Sequence, residues 1–216
     1  MLSLSNIYKE FTNKRSLFNR SSKQYVLQNV NMEFDRSSFN LIYGKNGAGK
    51  TTILRIIAGL IKQDEGIIDL NKRELISSDV SYVSNNNRSF FLTLSAYENL
   101  KYFCSLSNSF DRKKLSHYVE LFNIRYIMNK PMLALSEGER QKINIIRGIL
   151  KNSEVYLFDE VSSYLDKSSI NILSEIILDL KNKNKIILNV SHSTENMLVA
   201  CDQIINAENF SKKNVI

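Results

Sequence analysis

The sequence is short of the residues that interrupt regular structure: its 216 residues include seven glycines and one proline. That scarcity excludes collagen-like and linker-rich architectures. Cysteine is nearly absent too. Cys104 and Cys201 lie far apart, with no CxxC pair and no Cys/His cluster, which argues against structural zinc and a disulfide framework. The expectation is two buried free thiols in a reducing compartment. No apolar run reaches the roughly 18 residues of a membrane-spanning helix. The N-terminus also lacks the basic, apolar and small-residue pattern of a secretory signal. A cytosolic chain is expected, associating with a membrane only through a partner. Long blocks of one charge are missing as well. The formal charge is +7, but the lysines are scattered apart from short groups such as KNKNK at 181–185. A soluble lysine-rich surface and an anionic partner both fit that balance, whereas a nucleic-acid arm does not. There are no internal repeats and no low-complexity segment.

What remains is ordinary globular material, 43% apolar and 24% charged, of a length that suits one domain with room for an inserted lobe. LSLSNIYKEF (2–11) alternates like a half-buried strand and YVLQNVNMEF (25–34) repeats the pattern, so the polar, basic stretch 12–24 reads as a long loop. FNLIYG (39–44) is a short apolar run, after which the periodicity turns helical over 49–61 with Gly59 near its end. Strand patterns follow at 66–70 and 79–84, and helical ones at 95–106 and 112–124. Beyond Pro131 come a helix at 139–150, an apolar strand at 155–160, a helix at 168–180, a strand at 185–192, and a final short helix and strand. Antiparallel-looking strands followed by alternating helices and strands specify an α/β fold with a β edge, and 88–150 reads as a helical insertion.

Four of the seven glycines, Gly44, Gly47, Gly49 and Gly59, fall within sixteen residues. GKNGAGKT (44–51) is the complete GxxxxGK[ST] pattern of a P-loop, set between an apolar strand and a helix. Residues Gly44, Lys45, Asn46, Gly47, Ala48 and Gly49 supply a main chain that wraps phosphate. The helix start at Lys50, Thr51 and Thr52 completes the anion cradle. Lys50 is placed to reach the β and γ phosphates of a nucleotide, and Thr51 to ligate Mg2+. VYLFDE (155–160) supplies a buried strand ending in carboxylates. Asp159 fits the metal's water shell, and Glu160, pointing the other way, fits a group that polarises an attacking water. Acids at a strand end also occur simply because the strand reaches solvent; the P-loop is what favours the metal reading. LSEGERQ (135–141) admits two readings. Ser136 and Glu139 make a helix capping box, and the same helix start could face an anion.

GKNGAGKT (44–51), LSEGE (135–139), VYLFDE (155–160), SSYLD (162–166) and VSHS (190–193) follow one another in an order and spacing similar to the ATP-binding cassette of ABC transporters. The resemblance covers about residues 2–208. It implies a P-loop NTPase core with a mainly parallel sheet, an N-terminal antiparallel β subdomain and an inserted α-helical subdomain. In that division 1–216 is one ABC ATPase domain: 1–87 and 151–216 form the core with the β subdomain, and 88–150 the helical subdomain carrying the signature loop. ATP and Mg2+ are the implied cofactors. Ser136 and Gly138 match the signature loop, which in the family contacts the γ-phosphate held by the opposite subunit. Asp166 matches the loop that passes between the two sites of a dimer, and His192 matches a histidine that contacts the γ-phosphate near Glu160. The aromatic that stacks on adenine falls on Phe11, with Tyr25 and Phe18 as alternatives. His117 reads as structural. The family usually carries a metal-binding glutamine where this sequence has Asn85, followed by Asn86 and Asn87. Glu137 stands in place of a glycine, and its charge would oppose dimer closure unless it points away. The implied assembly is a homo- or heterodimer with a second ABC subunit, on the cytoplasmic face of a membrane, acting through integral-membrane permease subunits and without direct nucleic-acid contact. The small cassette is more like an exporter's than a sugar importer's. The alternatives are a soluble ABC ATPase acting on nucleic acid or ribosomes, and a regulatory nucleotide-binding module.

Overall fold

The computed structural model of the chain describes residues 1–13, 22–85, 89–191 and 201–211. Two sheets organise it. The first joins β1 (Leu2–Asn13), β2 (Ser22–Phe34), β4 (Glu65–Leu70) and β5 (Arg73–Glu74) in the order β2-β1-β4-β5, with every pair antiparallel. The second joins β6 (Val80–Ser84), β7 (Val155–Asp159), β8 (Ile186–Val190), β3 (Ser38–Tyr43) and β9 (Gln203–Asn206) in that order, all parallel. Strand alternation divides the core in two. Val155 and Leu157 of β7 pack with Ile186 and Leu188 of β8 against the first sheet and α1 (Lys50–Ile57). Tyr156, Phe158 and Ile187 face the opposite layer, built from α2 (Ala96–Leu106), α3 (Arg112–Leu121), α4 (Glu137–Leu150) and α5 (Lys167–Asn182). Strands covered on both faces are mostly apolar, and β7 and β8 are buried along their whole length, with Asp159 and Asn189 as the polar exceptions.

Several boundaries differ from the sequence pattern for identifiable reasons. The stretch 12–24 is not all loop: β1 runs to Asn13 and β2 begins at Ser22, with Phe11 paired to Gln24 and Asn13 to Ser22. Backbone pairing continues through this polar end of the hairpin, and hydrophobic alternation gives no sign of it. Helix α1 stops at Ile57 rather than 61, because Gly59 takes a left-handed φ of 71° and the Leu60 N–H folds back to the Arg55 carbonyl. The strand read from 79 starts at Val80, since Asp79 sits in a 3-10 turn held by a two-pronged bond from Arg73. At the chain end β9 precedes a 3-10 turn over Ala207–Asn209, and the short helix expected before it falls on residues outside those described. Of the two cysteines, Cys104 is buried, but Cys201 is only half-buried; both are free thiols. Among the described residues no helix is long and apolar enough to cross a membrane.

Gly66 marks the most constrained backbone in the first sheet. Its φ is 98°, and a Cβ there would lie 2.4 Å from the Asn6 carbonyl oxygen and 2.6 Å from that of Ser5, opposite the register shift between Ser5 and Tyr8. Neither obstacle is a side chain that could swing aside. Gly66→Ala is therefore expected to destabilise the fold by about 2–4 kcal/mol, read as a lower urea midpoint. An unchanged midpoint would mean that the hairpin can slide away from this contact.

Candidate functional site

The carboxyl ends of β3, β6, β7 and β8 lie at one edge of the parallel sheet, the side on which ligands bind in open α/β sheets. Residues 44–49 leave β3 there and feed α1. Gly49 caps α1 with a left-handed φ of 92°, and a Cβ on it would meet Leu27 at 3.0 Å, so both conformation and space require glycine. Lys45, Asn46 and Gly47 are exposed, whereas Lys50 is 5% exposed. Its ammonium donates to the carbonyls of Gly44 at 2.7 Å and Lys45 at 2.9 Å, bending it back over the loop it follows. Thr51 and Thr52 are half-buried in the first turn.

From Thr51 the hydroxyl donates to Oδ1 of Asp159 at 3.0 Å, which joins the P-loop helix to the end of β7. Asp159 is 5% exposed. Its second oxygen, Oδ2, accepts a bond of 2.7 Å from the Tyr82 phenol on β6. Arg55, one helical turn past Thr51, lies near that same phenol and interacts with it electrostatically. Burial is the main force pushing the Tyr82 phenol up to about 12; the nearby Arg55 cation works against it and the Asp159 bond with it, so the phenol keeps its proton. Next in the chain, Glu160 takes a left-handed φ of 56°, uncommon for a residue with a Cβ, and its N–H donates to the Val190 carbonyl. That turn separates the two carboxylates. Asp159 faces Thr51, while Glu160 Oε2 lies 3.5 Å from the side-chain nitrogen of Asn85, whose backbone N–H donates to the Asp159 carbonyl.

The capping box in LSEGERQ forms. Ser136 accepts from the Glu139 N–H at 3.3 Å, and Glu139 accepts from the Ser136 N–H at 2.8 Å and from its hydroxyl at 2.9 Å. The Tyr126 phenol donates to the other Glu139 oxygen at 2.9 Å. Burial alone would raise the Glu139 carboxyl, but these donors outweigh it and hold it below its usual value. Glu137 is exposed and ion-paired with Arg140 at 3.2 Å one turn on. The start of α4 packs on the segment 162–166: a Cβ on Gly138 would lie 2.8 Å from the Tyr164 carbonyl oxygen. Lys142 reaches Asp166 at 3.4 Å. Asp166 itself caps α5, and the donors of Ser169 and Ser168 hold its carboxyl well below the usual range.

Phe11 is 40% exposed, with the Lys9 ammonium 5.6 Å from its ring centre. Tyr25 pairs with Glu10, the neighbour of Phe11, so the two aromatics occupy opposite faces of the hairpin and only one of them can face a given ligand. His192, Phe18, Asn86 and Asn87 lie outside the described residues. Two groups escaped the sequence reading. Tyr82 and Arg55 are one. The other is a chain in which Arg147 stacks on Phe90 and Phe103 (4.4 and 4.9 Å to the ring centres) and donates to Asn144, which donates to the Ser84 carbonyl just before Asn85. The only hint of Tyr82 was a polar-tipped aromatic in SYVS. Its partner depends on β6 pairing with β7, which no local pattern encodes.

The fold class is that of the P-loop NTPases, with an antiparallel sheet packed on the parallel core. Within it the chain belongs to the ABC transporter family, whose model matches residues 27–163. It is 28% identical to the ABC transporter ATP-binding protein NatA of Bacillus subtilis over 95% of this chain and 85% of that one. It is 29% identical to the lipopolysaccharide export system ATP-binding protein LptB of Haemophilus influenzae over 82% of this chain and 78% of the other. The molybdate/tungstate import ATP-binding protein WtpC of Methanocaldococcus jannaschii is 32% identical over 79% and 59%. Among solved structures, a dimeric bacterial ABC transporter cassette superposes with a TM-score of 0.81 at 22% identity, covering 96% of this chain and 95% of that one.

Proposed function

We propose that this chain binds ATP with Mg2+ at residues 44–52 and hydrolyses it as one half of an ABC dimer, driving transport through separate membrane subunits. The observation that carries the reading is the 3.0 Å link between Thr51 and Asp159 beside a buried Lys50, with Glu160 held on the other side of the strand end. A hydroxyl and a carboxylate are the hard oxygen donors that suit Mg2+, which takes few protein ligands when phosphates supply the rest. When bound, the ion would neutralise phosphate charge. The chain's own groups then divide the work. Backbone N–H groups of 44–52 and the Lys50 ammonium would bind the phosphates, and Phe11 is the aromatic assigned to stack on the base. Asp159 and Thr51 would hold the metal, with Asn85, whose amide lies 3.5 Å from Glu160 Oε2, as a further ligand. Glu160 would draw the proton from the attacking water, and His192, outside the described residues, is assigned the γ-phosphate contact by the family resemblance alone.

The signature residues need a second subunit. Within the chain the start of α4 packs against 162–166, so Ser136 and the N–H of Gly138 would serve a nucleotide on a partner cassette, with Asp166 between the sites. The dimeric cassette among the structural neighbours supports that arrangement. The pairing of Glu137 with Arg140 offsets the charge that would oppose closure. In this reading 88–150 moves against the core and passes the motion through the Asn85 segment to permeases at the cytoplasmic membrane face. Relatives named for export and for import both resemble this chain, so the proposal is neutral on direction. ATP turnover by the purified chain, alone and with the membrane protein that co-purifies with it, is the test; absence of turnover in both would overturn it.

Glu139 makes a finer prediction. Its carboxylate is charged and holds the Ser136 hydroxyl, so it competes with a phosphate for that donor. Glu139→Gln retains a side-chain oxygen for the cap and removes the charge. ATP-dependent association is expected to tighten by roughly 3- to 10-fold, equivalent to about 1 kcal/mol of relieved repulsion. Unchanged association in sedimentation would show that the charge lies clear of the partner's nucleotide.

A further inference from the structure

We infer that Tyr82 is a positioning residue for the metal-binding carboxylate Asp159. The inference rests on the proposed Mg2+–nucleotide reading of the site and adds a residue that the P-loop and strand-end motifs do not contain. Tyr82 and Asp159 lie on neighbouring parallel strands. Tyr82 pairs with Leu157, and Asp159 follows Leu157 by two residues, so all three side chains share the face turned towards α1. The Tyr82 ring packs at the edge of the core on that side, a role phenylalanine would fill equally well. The hydroxyl is what needs a reason. It donates to Asp159 Oδ2 at 2.7 Å, while Thr51 donates to Oδ1 at 3.0 Å, so each oxygen of the buried carboxylate has its own donor.

The two donors differ in duty. Thr51 is itself a metal-facing group, and its hydroxyl is needed there. Tyr82 has no such claim on it, and the Arg55 guanidinium lies near the same phenol. Among the described residues Asp159 forms no ion pair with lysine or arginine, so its negative charge stays available to a cation while its orientation is set by neutral hydroxyls. That is the arrangement of an outer partner that aims a metal ligand, and loss of such partners typically weakens metal binding by about 10- to 100-fold.

The test uses the full chain and its Tyr82→Phe variant. ATP affinity is measured in excess EDTA, and Mn2+ affinity of the ATP-loaded protein is measured from the free-ion paramagnetic resonance signal. The expected result is an EDTA affinity within about twofold of wild type and Mn2+ binding at least about 10-fold weaker. Arg55→Met, which leaves the phenol on Asp159, is expected to lose less Mn2+ affinity than Tyr82→Phe. Tyr82→Phe with wild-type Mn2+ affinity and intact ATP binding would overturn the inference and leave the nucleotide reading standing. Wild-type protein that binds no ATP even in EDTA would overturn both.

Discussion

Glu160→Gln is expected to lower ATP turnover by about 100- to 10,000-fold, the range a positioned general base contributes, while ATP affinity stays within about twofold of wild type. Glutamine keeps the size of glutamate and can still meet the Asn85 amide, which lies 3.5 Å from Glu160 Oε2. It cannot take a proton. The phosphate contacts are kept, because the substitution leaves Lys50 and the loop at 44–49, which joins β3 to α1, unchanged. The variant should therefore bind ATP and hold it, and the population of closed dimer should rise with ATP and persist after free nucleotide is removed. Single-turnover hydrolysis and sedimentation read the two effects separately. Turnover like wild type would remove Glu160 from the role of base. The left-handed φ of 56° at this position adds a control. Glu160→Gly should be equally inactive yet no less stable, since glycine meets that backbone without strain.

Lys50→Ala is expected to weaken ATP binding by about 10- to 100-fold, in line with charge-assisted hydrogen bonds worth about 1.5–3 kcal/mol. Two effects combine. The ammonium that would meet the phosphates is lost, and so are its bonds to the carbonyls of Gly44 and Lys45 that hold the loop in shape. Lys50→Arg separates them. It keeps the charge, but its larger planar head does not fit a position only 5% exposed, so it too is expected to bind poorly. Calorimetric titration of both variants measures the loss. Wild-type affinity in Lys50→Ala would place the nucleotide elsewhere on the chain.

The residues that motifs encode were legible in advance, and those that only strand pairing brings together were not. GKNGAGKT announces its own strand, loop and helix, and VYLFDE its own buried strand, because each pattern is local and its burial is written in its composition. LSEGERQ was legible as a cap, which forms as the Ser136–Glu139 spacing requires; its anion-facing reading belongs to the proposed function. The 12–24 stretch misled because antiparallel backbone pairing holds its ends with polar side chains, so alternation fades while the strands continue to Asn13 and from Ser22. Cys201 was expected to be buried on residue type alone, yet half-buried is where the turn into β9 leaves it. The Tyr82–Asp159 bond was out of reach for a different reason: 77 residues separate the partners. Their meeting depends on the sheet order β6-β7-β8-β3-β9, which follows from how helices cover the two faces and has no signature in either segment. The same holds for Asn144 and the Ser84 carbonyl, 60 residues apart.

The claim on which everything else depends is that the loop at 44–52 holds ATP, and calorimetric titration of the purified wild-type chain with ATP in Mg2+ tests it most directly. The expected result is saturable binding of about one ATP per chain, abolished or strongly weakened by Lys50→Ala. Absence of binding heat together with failure to retain labelled ATP at millimolar concentration would contradict it.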